Sequence, residues 1–307
     1  MVENGSNMEP VVCDLCGADI PRHYLTTTDR FTGSAFNLDM CSNCQLVYLN
    51  PRPTLLELEG LYPEDYEAYQ HSRNYDSATA NWHVKQALHK QLSYVDQYRP
   101  ERGKLLDVGC ATGNFLVRAR DFGWQVFGIE IIEKAAQIAR EQLGEALISS
   151  DLETTNLLPG SLDVVTLWDV LEHLPNPKLT MQKIRDLLRP GGLVFFSIPN
   201  LDSLDRRLFK TEWIGWDAPR HFTLYSYPTL QRLLAETGFE MVDRRCLLGG
   251  KGAFFLSLDR IIQKKPTLKW LPRVYPIISF LLWPYRQIAY LRLQGPIMYY
   301  AVRKVTA

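Results

Sequence analysis

Between Lys104 and Asn200 the chain alternates short apolar runs with amphipathic stretches. "KLLDV", "WQVFGI", "EALISSD", "LDVVTLW" and "GGLVFFSIPN" read as strands. The stretches between them, "NFLVRARDFG", "KAAQIAREQLG" and Leu179 to Leu188, carry apolar residues at helical spacing. Strands that alternate with helices predict a mostly parallel sheet covered on both faces, an α/β, Rossmann-like, doubly wound fold. In such sheets ligands bind beyond the carboxyl ends of the strands, where strand order reverses. Asp107, Glu130, Asp151 and Asp169 all fall at or just after predicted strand ends, which places them together on the ligand side.

The pattern extends on both sides of this region. Residues 77 to 98 predict a helix with Trp82, Ala87, Leu88, Leu92 and Val95 on its apolar face, broken by "RPERG". Before it, 51 to 100 reads as a helical linker or lid, with Tyr62, Tyr66 and Tyr69 as an aromatic stripe. After Asn200, "TLQRLLAETGFEMVDRRCLLGGKGAFFLSLD" predicts one helix stopped by Gly238 and then two strands. The expected organisation is a small domain over 1–50, the linker, a main domain over 101–259 and a tail over 260–307.

The first fifty residues hold "CDLCG" and "CSNCQ", so Cys13 and Cys16, like Cys41 and Cys44, are separated by two residues. Two such pairs complete a tetrahedral site for one ion, and Gly17 suits the tight turn that follows the first. We read them as a zinc ribbon. Four protein ligands leave no open position, so the zinc is expected to be structural and to fold a segment too short to sustain its own core. "MVENGSNMEP" carries neither a basic start nor an apolar run, so no secretory signal is expected and the location is expected to be cytoplasmic.

Charge changes the picture of the tail. The chain has 34 Lys and Arg against 34 Asp and Glu, yet residues 260–307 hold nine basic residues and no acidic one. The first 259 residues therefore carry 25 − 34, a net −9. An acidic body is a poor match to a nucleic acid. The apolar stretch from Val274 to Tyr285 is interrupted by Pro276 and Pro284 and is shorter than the ~20 residues of a spanning helix. Its interleaved aromatic and basic residues predict peripheral contact with the inner face of a membrane through 269–300, or packing on protein.

The turn after the first strand is Gly109-Cys110-Ala111-Thr112-Gly113. It lacks the G-x-G-x-x-G spacing of a dinucleotide loop, and Asp107 precedes it. A carboxylate there disfavours a pyrophosphate and suits a cationic ligand such as S-adenosylmethionine. Glu130, ending the second strand, is placed to accept hydrogen bonds from ribose hydroxyls. "LLDVGCATGNF", "VFGIEI", "DVVTLWDVLEHLPNP" and "LLRPGGLVFFSIPN" together resemble the class I S-adenosylmethionine-dependent methyltransferases over roughly residues 100 to 258. The ribbon and "PRPTLLELEGLY" look like a branch associated with cell-surface glycan biosynthesis. One departure is Ala111, where the commoner pattern has a glycine. The resemblance implies that Asp107, Gly109, Ala111 and Gly113 border the methionine end of the cofactor and that Glu130 holds the ribose with Ile131 beside the adenine. It also implies that Asp151 and Leu152 lie near the adenine amine, while Trp168 and Asp169 line the floor.

The segment "WIGWDAPRHFTLYS", Trp213 to Ser226, lies on the side where the resemblance expects the acceptor. His221 is the expected general base, since imidazole titrates near working pH, with Asp217 to orient it. Arg220 would hold an acidic group, Trp213 and Trp216 would stack on sugar or isoprenoid, and His173 would touch ligand or pack beside the site. The expected reaction is methyl transfer to a hydroxyl of a glycan, glycolipid or other lipid-like or lipid-linked small molecule. The alternatives are an RNA methyltransferase, disfavoured by the acidic body, or a non-catalytic S-adenosylmethionine-binding scaffold.

Overall fold

The computed structural model describes residues 8–57, 59–62, 80–149, 151–152, 154–247 and 250–306. Tyr66 and Tyr69 of the expected stripe lie outside them. The N-terminal segment gives β1 (Met8–Glu9), β2 (Pro21–Thr28), β3 (Ala35–Cys41), β4 (Val47–Leu49) and β5 (Arg52–Pro53). Helix α1 (Ala80–Tyr98) follows, then β6 (Lys104–Val108), α2 (Asn114–Asp121), β7 (Gln125–Ile129), α3 (Glu133–Leu143) and β8 (Leu147–Ser149). Next come β9 (Leu162–Trp168), α4 (Pro177–Leu187), β10 (Leu188–Pro199), α5 (Leu204–Phe209), β11 (Thr223–Leu224), α6 (Tyr227–Glu236) and β12 (Phe239–Arg245). The chain ends with α7 (Gly250–Lys264), α8 (Tyr275–Leu281), α9 (Trp283–Leu291) and β13 (Ile297–Lys304).

Seven strands form the central sheet in the order β12-β13-β10-β9-β6-β7-β8. All run parallel except β13, which is antiparallel to both neighbours. Side chains alternate between the two faces with period two, as a pleated strand requires. Leu106, Val165, Val194, Phe196 and Tyr300 face α4 and α6, whereas Leu105, Val164, Leu193, Phe195 and Tyr299 face α1, α2 and α3. Strand order reverses between β6 and β9, so the predicted crevice lies at their carboxyl ends.

Some expectations are corrected here. Strand β13 belongs to the sheet although it lies in the segment assigned to a tail, because a strand buried on both faces is a continuous apolar run and resembles an interfacial one. Asn200 seals its entry: its side-chain amide donates to the carbonyls of Leu293 and Gly295, and its backbone N–H to that of Pro296. "GKGAFFLSLD" is helix α7 and not a strand, because Phe254, Phe255, Leu258 and Ile261 recur at helical spacing toward a third core. Helix α1 packs on the sheet through Leu92, Tyr94 and Val95 and is not a free linker, while Trp82 from its expected apolar face is exposed.

The ribbon is joined to the main domain at a sheet. Its strands run β11-β4-β3-β2, so the fourth strand is Thr223–Leu224 of the segment after Arg220. Leu38, Val47 and Leu49 of the ribbon share one core with Trp213, Trp216, Phe222 and Leu224. Above that core the Arg220 guanidinium donates to both carboxylate oxygens of Asp217, at 3.0 and 2.9 Å, and to Asp29 at 2.7 Å. Arg30 approaches Asp217 at 3.2 Å. Arg220, Asp217 and Asp29 are all buried. Removing one member leaves the others desolvated and uncompensated, at a cost of about 3–5 kcal/mol. Arg220→Met should therefore lower unfolding free energy in urea by that amount, with the loss concentrated in a transition that includes the ribbon; a change within ~0.5 kcal/mol would refute the assignment.

Candidate functional site

The turn after β6 is shaped by close approach. Gly109 and Gly113 have φ of 71° and 84°, and a Cβ at these positions would meet Val170 at 2.6 Å and Leu143 at 2.8 Å. Both therefore need glycine. Ala111 sits between them at φ 48°, in the left-handed region that alanine enters only with strain. The Ala111 N–H that this conformation presents is accepted by Glu130 Oε2 at 2.8 Å, and Oε1 of the same carboxylate accepts the Ile132 N–H at 2.8 Å. Glu130 is thus pinned at the end of β7 with lone pairs remaining on each oxygen.

Asp107 is buried in β6, its Oδ1 accepting the Thr166 hydroxyl at 2.6 Å. Burial pushes its carboxyl up to about 7; the Thr166 hydrogen bond opposes this and the Glu130 charge adds to it. Burial likewise raises Glu130, against its backbone hydrogen bonds. Asp169, at φ 55° just past β9, is held by Ser197, whose hydroxyl donates to Oδ1 at 2.8 Å. Trp168 joins Phe115 and Tyr299 in an aromatic group, and its buried Nε1 has no hydrogen-bond partner among the described residues. Ile131 is 61% exposed at the end of β7, Leu152 is buried and Asp151 half-buried. Two carboxylates facing one crevice, an exposed apolar side chain and an orphaned indole N–H fit a cationic nucleoside ligand better than a pyrophosphate. The structure thus brings Asp107, Gly109, Ala111, Gly113 and Glu130 together with Trp168 and Asp169 around the reversal of strand order.

On the neighbouring rim, Glu172, His173 and His221 converge: one carboxylate oxygen and one nitrogen from each ring lie within 4.8 Å of one another. The two imidazole rings meet edge to face at 4.5 Å. Nδ1 of His221 lies 2.8 Å from the Gly215 carbonyl and Nδ1 of His173 lies 3.0 Å from that of Arg220. A carbonyl only accepts, so each Nδ1 carries the proton and each Nε2 the lone pair. The Tyr62 hydroxyl is 3.1 Å from His173 Nδ1. Burial lowers both imidazoles, His173 to about 3 with the help of its partner ring, so both stay neutral at pH 7. Burial, with Asp169 nearby, holds Glu172 well above the usual carboxylate range.

The other acceptor-side expectations are corrected. Trp213 and Trp216 are fully buried, packed edge to face at 5.1 Å, and offer no face to a ligand. Arg220 is committed to Asp217 and Asp29 and cannot also hold an acidic substrate. Asp217 does not orient His221; the Gly215 carbonyl does. Burial alone would raise the Asp217 carboxyl, but the Arg220 hydrogen bonds and charge outweigh it and hold the group below the usual range. Asp163, at the start of β9, binds Arg99, Arg189 and the Lys104 N–H. Glu172 was not among the expected site residues; its signal in the sequence is a carboxylate directly before His173 in "VLEHL". Asp29 and Arg30, in the β2–β3 turn, carried no local signal, since their partners lie some 190 residues away.

The four cysteines meet at one end of the ribbon, all sulfurs within 4.8 Å, with Cys13–Cys44 at 3.4 Å and Cys16–Cys41 at 3.5 Å. Thiolates around a tetrahedral zinc would stand about 3.8 Å apart, so the donor set fits that ion with no further ligand. The two knuckles match: the N–H groups of Gly17 and Gln45, both at positive φ, return to the carbonyls of Cys13 and Cys41.

Comparison with known proteins identifies the family. The methyltransferase-domain family model matches residues 78–244, more than half of the chain. The ubiquinone biosynthesis O-methyltransferase of Thiobacillus denitrificans is 39% identical over 117 residues, 36% of this chain and 50% of that protein. Its counterpart in Burkholderia pseudomallei is 31% identical over 166 residues, 50% of this chain and 72% of that protein. The chain thus spans about half the length of the first of these relatives. Haemonchus contortus phosphoethanolamine N-methyltransferase 2, solved with phosphomonomethylethanolamine and S-adenosylhomocysteine, shares the fold with a TM-score of 0.51 at 16% identity. The overlap covers 85% of this chain and 63% of that one.

The raised Asp107 carboxyl gives a signed prediction. A cationic ligand favours the ionised form, so its affinity by calorimetry should rise as pH increases through about 7 and weaken below it. Asp107→Ala should remove both the affinity and its pH dependence, and unchanged binding would exclude the crevice. With this charge arrangement, this turn and this sheet order, the chain belongs to the methyltransferase-domain family.

Proposed function

We propose that this enzyme methylates a hydroxyl group of a small lipid-like acceptor, such as a glycolipid or other lipid-linked molecule, on the cytoplasmic side of a membrane. The observation that carries the reading is the neutral imidazole pair beside the crevice, His221 and His173, with Nε2 of each free of its proton. The names of the curated relatives, O-methyltransferases of ubiquinone biosynthesis, support an oxygen acceptor of lipid-like chemistry.

Bound S-adenosylmethionine supplies an activated methyl group on a sulfonium that is already a good leaving group. The chain's part is alignment and the proton. Asp107 and Glu130 fix the donor in the crevice, and positioning accounts for much of the rate. The bound cofactor would supply the methyl group to an acceptor hydroxyl, and Nε2 of His221 would take up the hydroxyl proton. Gly215 holds that ring in the required tautomer. His173 packs against it and is the second ring able to take the proton. The four ribbon cysteines would hold a structural zinc, far from any role in the transfer itself.

The test is a radiolabelled methyl-transfer assay on membrane, soluble and RNA fractions of an extract. Label in lipid-linked or glycolipid material supports the reading, and label confined to RNA or protein overturns it. His221→Ala should keep cofactor affinity and lower kcat by roughly 10²–10⁴-fold. Because burial depresses both imidazoles, the base form persists as pH falls through 6.5, so kcat at saturating cofactor should stay level there. An inflection near 6.5, or an unimpaired His221→Ala enzyme, would remove the assigned base.

A further inference from the structure

Helices α8 and α9 are apolar on the outward side as well as on the side that packs on the domain. Their inner sides are fully engaged: Tyr275 stacks on Phe255 at 4.2 Å and Tyr285 donates to Asp205 at 2.7 Å. Ile278 and Leu282 pack on the core formed by the acceptor-side segment and the ribbon. The outward positions are nevertheless apolar. Ile277, Phe280, Leu281, Trp283, Ile288 and Leu291 are 47–85% exposed, Phe280 at 80% and Leu291 at 85%. On α8 they follow the i, i+3, i+4 spacing of a single face, opposite to Tyr275 and Ile278. Scattered apolar residues on a surface need no explanation, but a cluster of this size marks a contact surface.

The surroundings say what kind of contact. Lys265, Lys269, Arg273 and Arg292 are exposed on the same segment, which contains no acidic residue after Asp259. A face-to-face pairing of two copies would set these like charges against each other. A bilayer rich in anionic lipid meets both requirements at once, since it takes the apolar side chains at the headgroup boundary and attracts the lysines and arginines around them. Tryptophan at that boundary is in its preferred environment. The helices have 7 and 9 residues, and no described helix is long and apolar enough to cross a membrane. We propose that the outward face of α8 and α9 is a docking surface for an anionic phospholipid bilayer. The enzyme would lie on the membrane and not through it.

The two helices pack on the same core as Trp213, Trp216 and Phe222, so the bilayer would be held against the unit that carries His221. The proposal extends the reading of a lipid-like acceptor but is measured without any acceptor. The full chain is mixed with vesicles of phosphatidylcholine alone or of phosphatidylcholine with phosphatidylglycerol, and partition is read by sedimentation. Wild type should pellet with the phosphatidylglycerol vesicles, stay in solution with phosphatidylcholine alone, and be released by high salt. The double substitution Phe280→Glu/Leu281→Glu should weaken partition roughly tenfold or more. Its calorimetric affinity for S-adenosylmethionine should be unchanged, which reports that the fold is intact.

Equal partition of wild type and the double variant overturns the proposal, as does wild type that stays in solution with both vesicles. A stable dimer in sedimentation velocity that Phe280→Glu/Leu281→Glu dissolves would also overturn it, assigning the face to a second copy. Vesicle binding without label entering lipid-linked material would strike the acceptor reading and leave the docking surface standing. Label in that material without vesicle binding would do the reverse.

Discussion

The Arg220 guanidinium, shared between Asp217 on its own segment and Asp29 on the ribbon, is the interaction on which the architecture turns. With Arg30 the group holds two acids and two bases and is neutral as a unit, with one of each sign on the ribbon and one of each on the later segment, paired across the junction. Desolvating such groups separately is expensive, and only the complete set compensates. The ribbon and the segment from Trp213 to Ser226 are therefore formed together or not at all. Apolar burial works in the same direction: Trp213, Trp216 and Phe222 find their neighbours in β3 and β4, and β11 pairs with β4 there. The cysteine module is thus not an appendage next to a catalytic domain. It supplies one wall of the body that carries Trp213 to Ser226.

From this wall the constraint passes to the chemistry through the backbone. The Phe222 N–H donates to the Glu172 carbonyl at 2.7 Å, tying the segment to the turn that follows β9. That turn carries His173, and the register of the bond brings His221 against it. Asp169, three residues before Glu172, is fixed from the opposite side by Ser197 of β10. Cofactor crevice and imidazole pair are two consequences of one strand end, held from below by the sheet and from above by the ribbon.

What could be read in the sequence was local. The strand–turn–helix units of the central domain announce themselves by period and by glycine spacing, and Asp107, Glu130 and Asp169 fall where strand ends put them. The cysteine pairs and the turn at Gly17 are equally local. What could not be read depends on distant partners. Trp213 and Trp216 look like open platforms because the Leu38, Val47 and Leu49 that cover them lie more than 160 residues earlier. Arg220 looks like an anion site until Asp29 is placed beside it. Strand β13 was hidden in an aromatic, basic stretch because its central residues are buried between β10 and β12, where alternation no longer distinguishes a strand from an interfacial segment. Glu172 shows the same limit: its unpaired oxygen and elevated pKa arise from burial, which no neighbouring residue in the chain declares.

Ribbon and the segment 213–226 form one unit through shared core and buried charge, and a metal on the four cysteines would complete it. Hydrogen exchange, measured on the intact chain before and after removal of metal with a strong chelator, tests it most directly. The account predicts that amides of residues 213–226 lose protection together with those of 13–49, while β6, β7 and β9 keep theirs. Ribbon amides that open while 213–226 stays protected, or a chelator that changes neither, would contradict it.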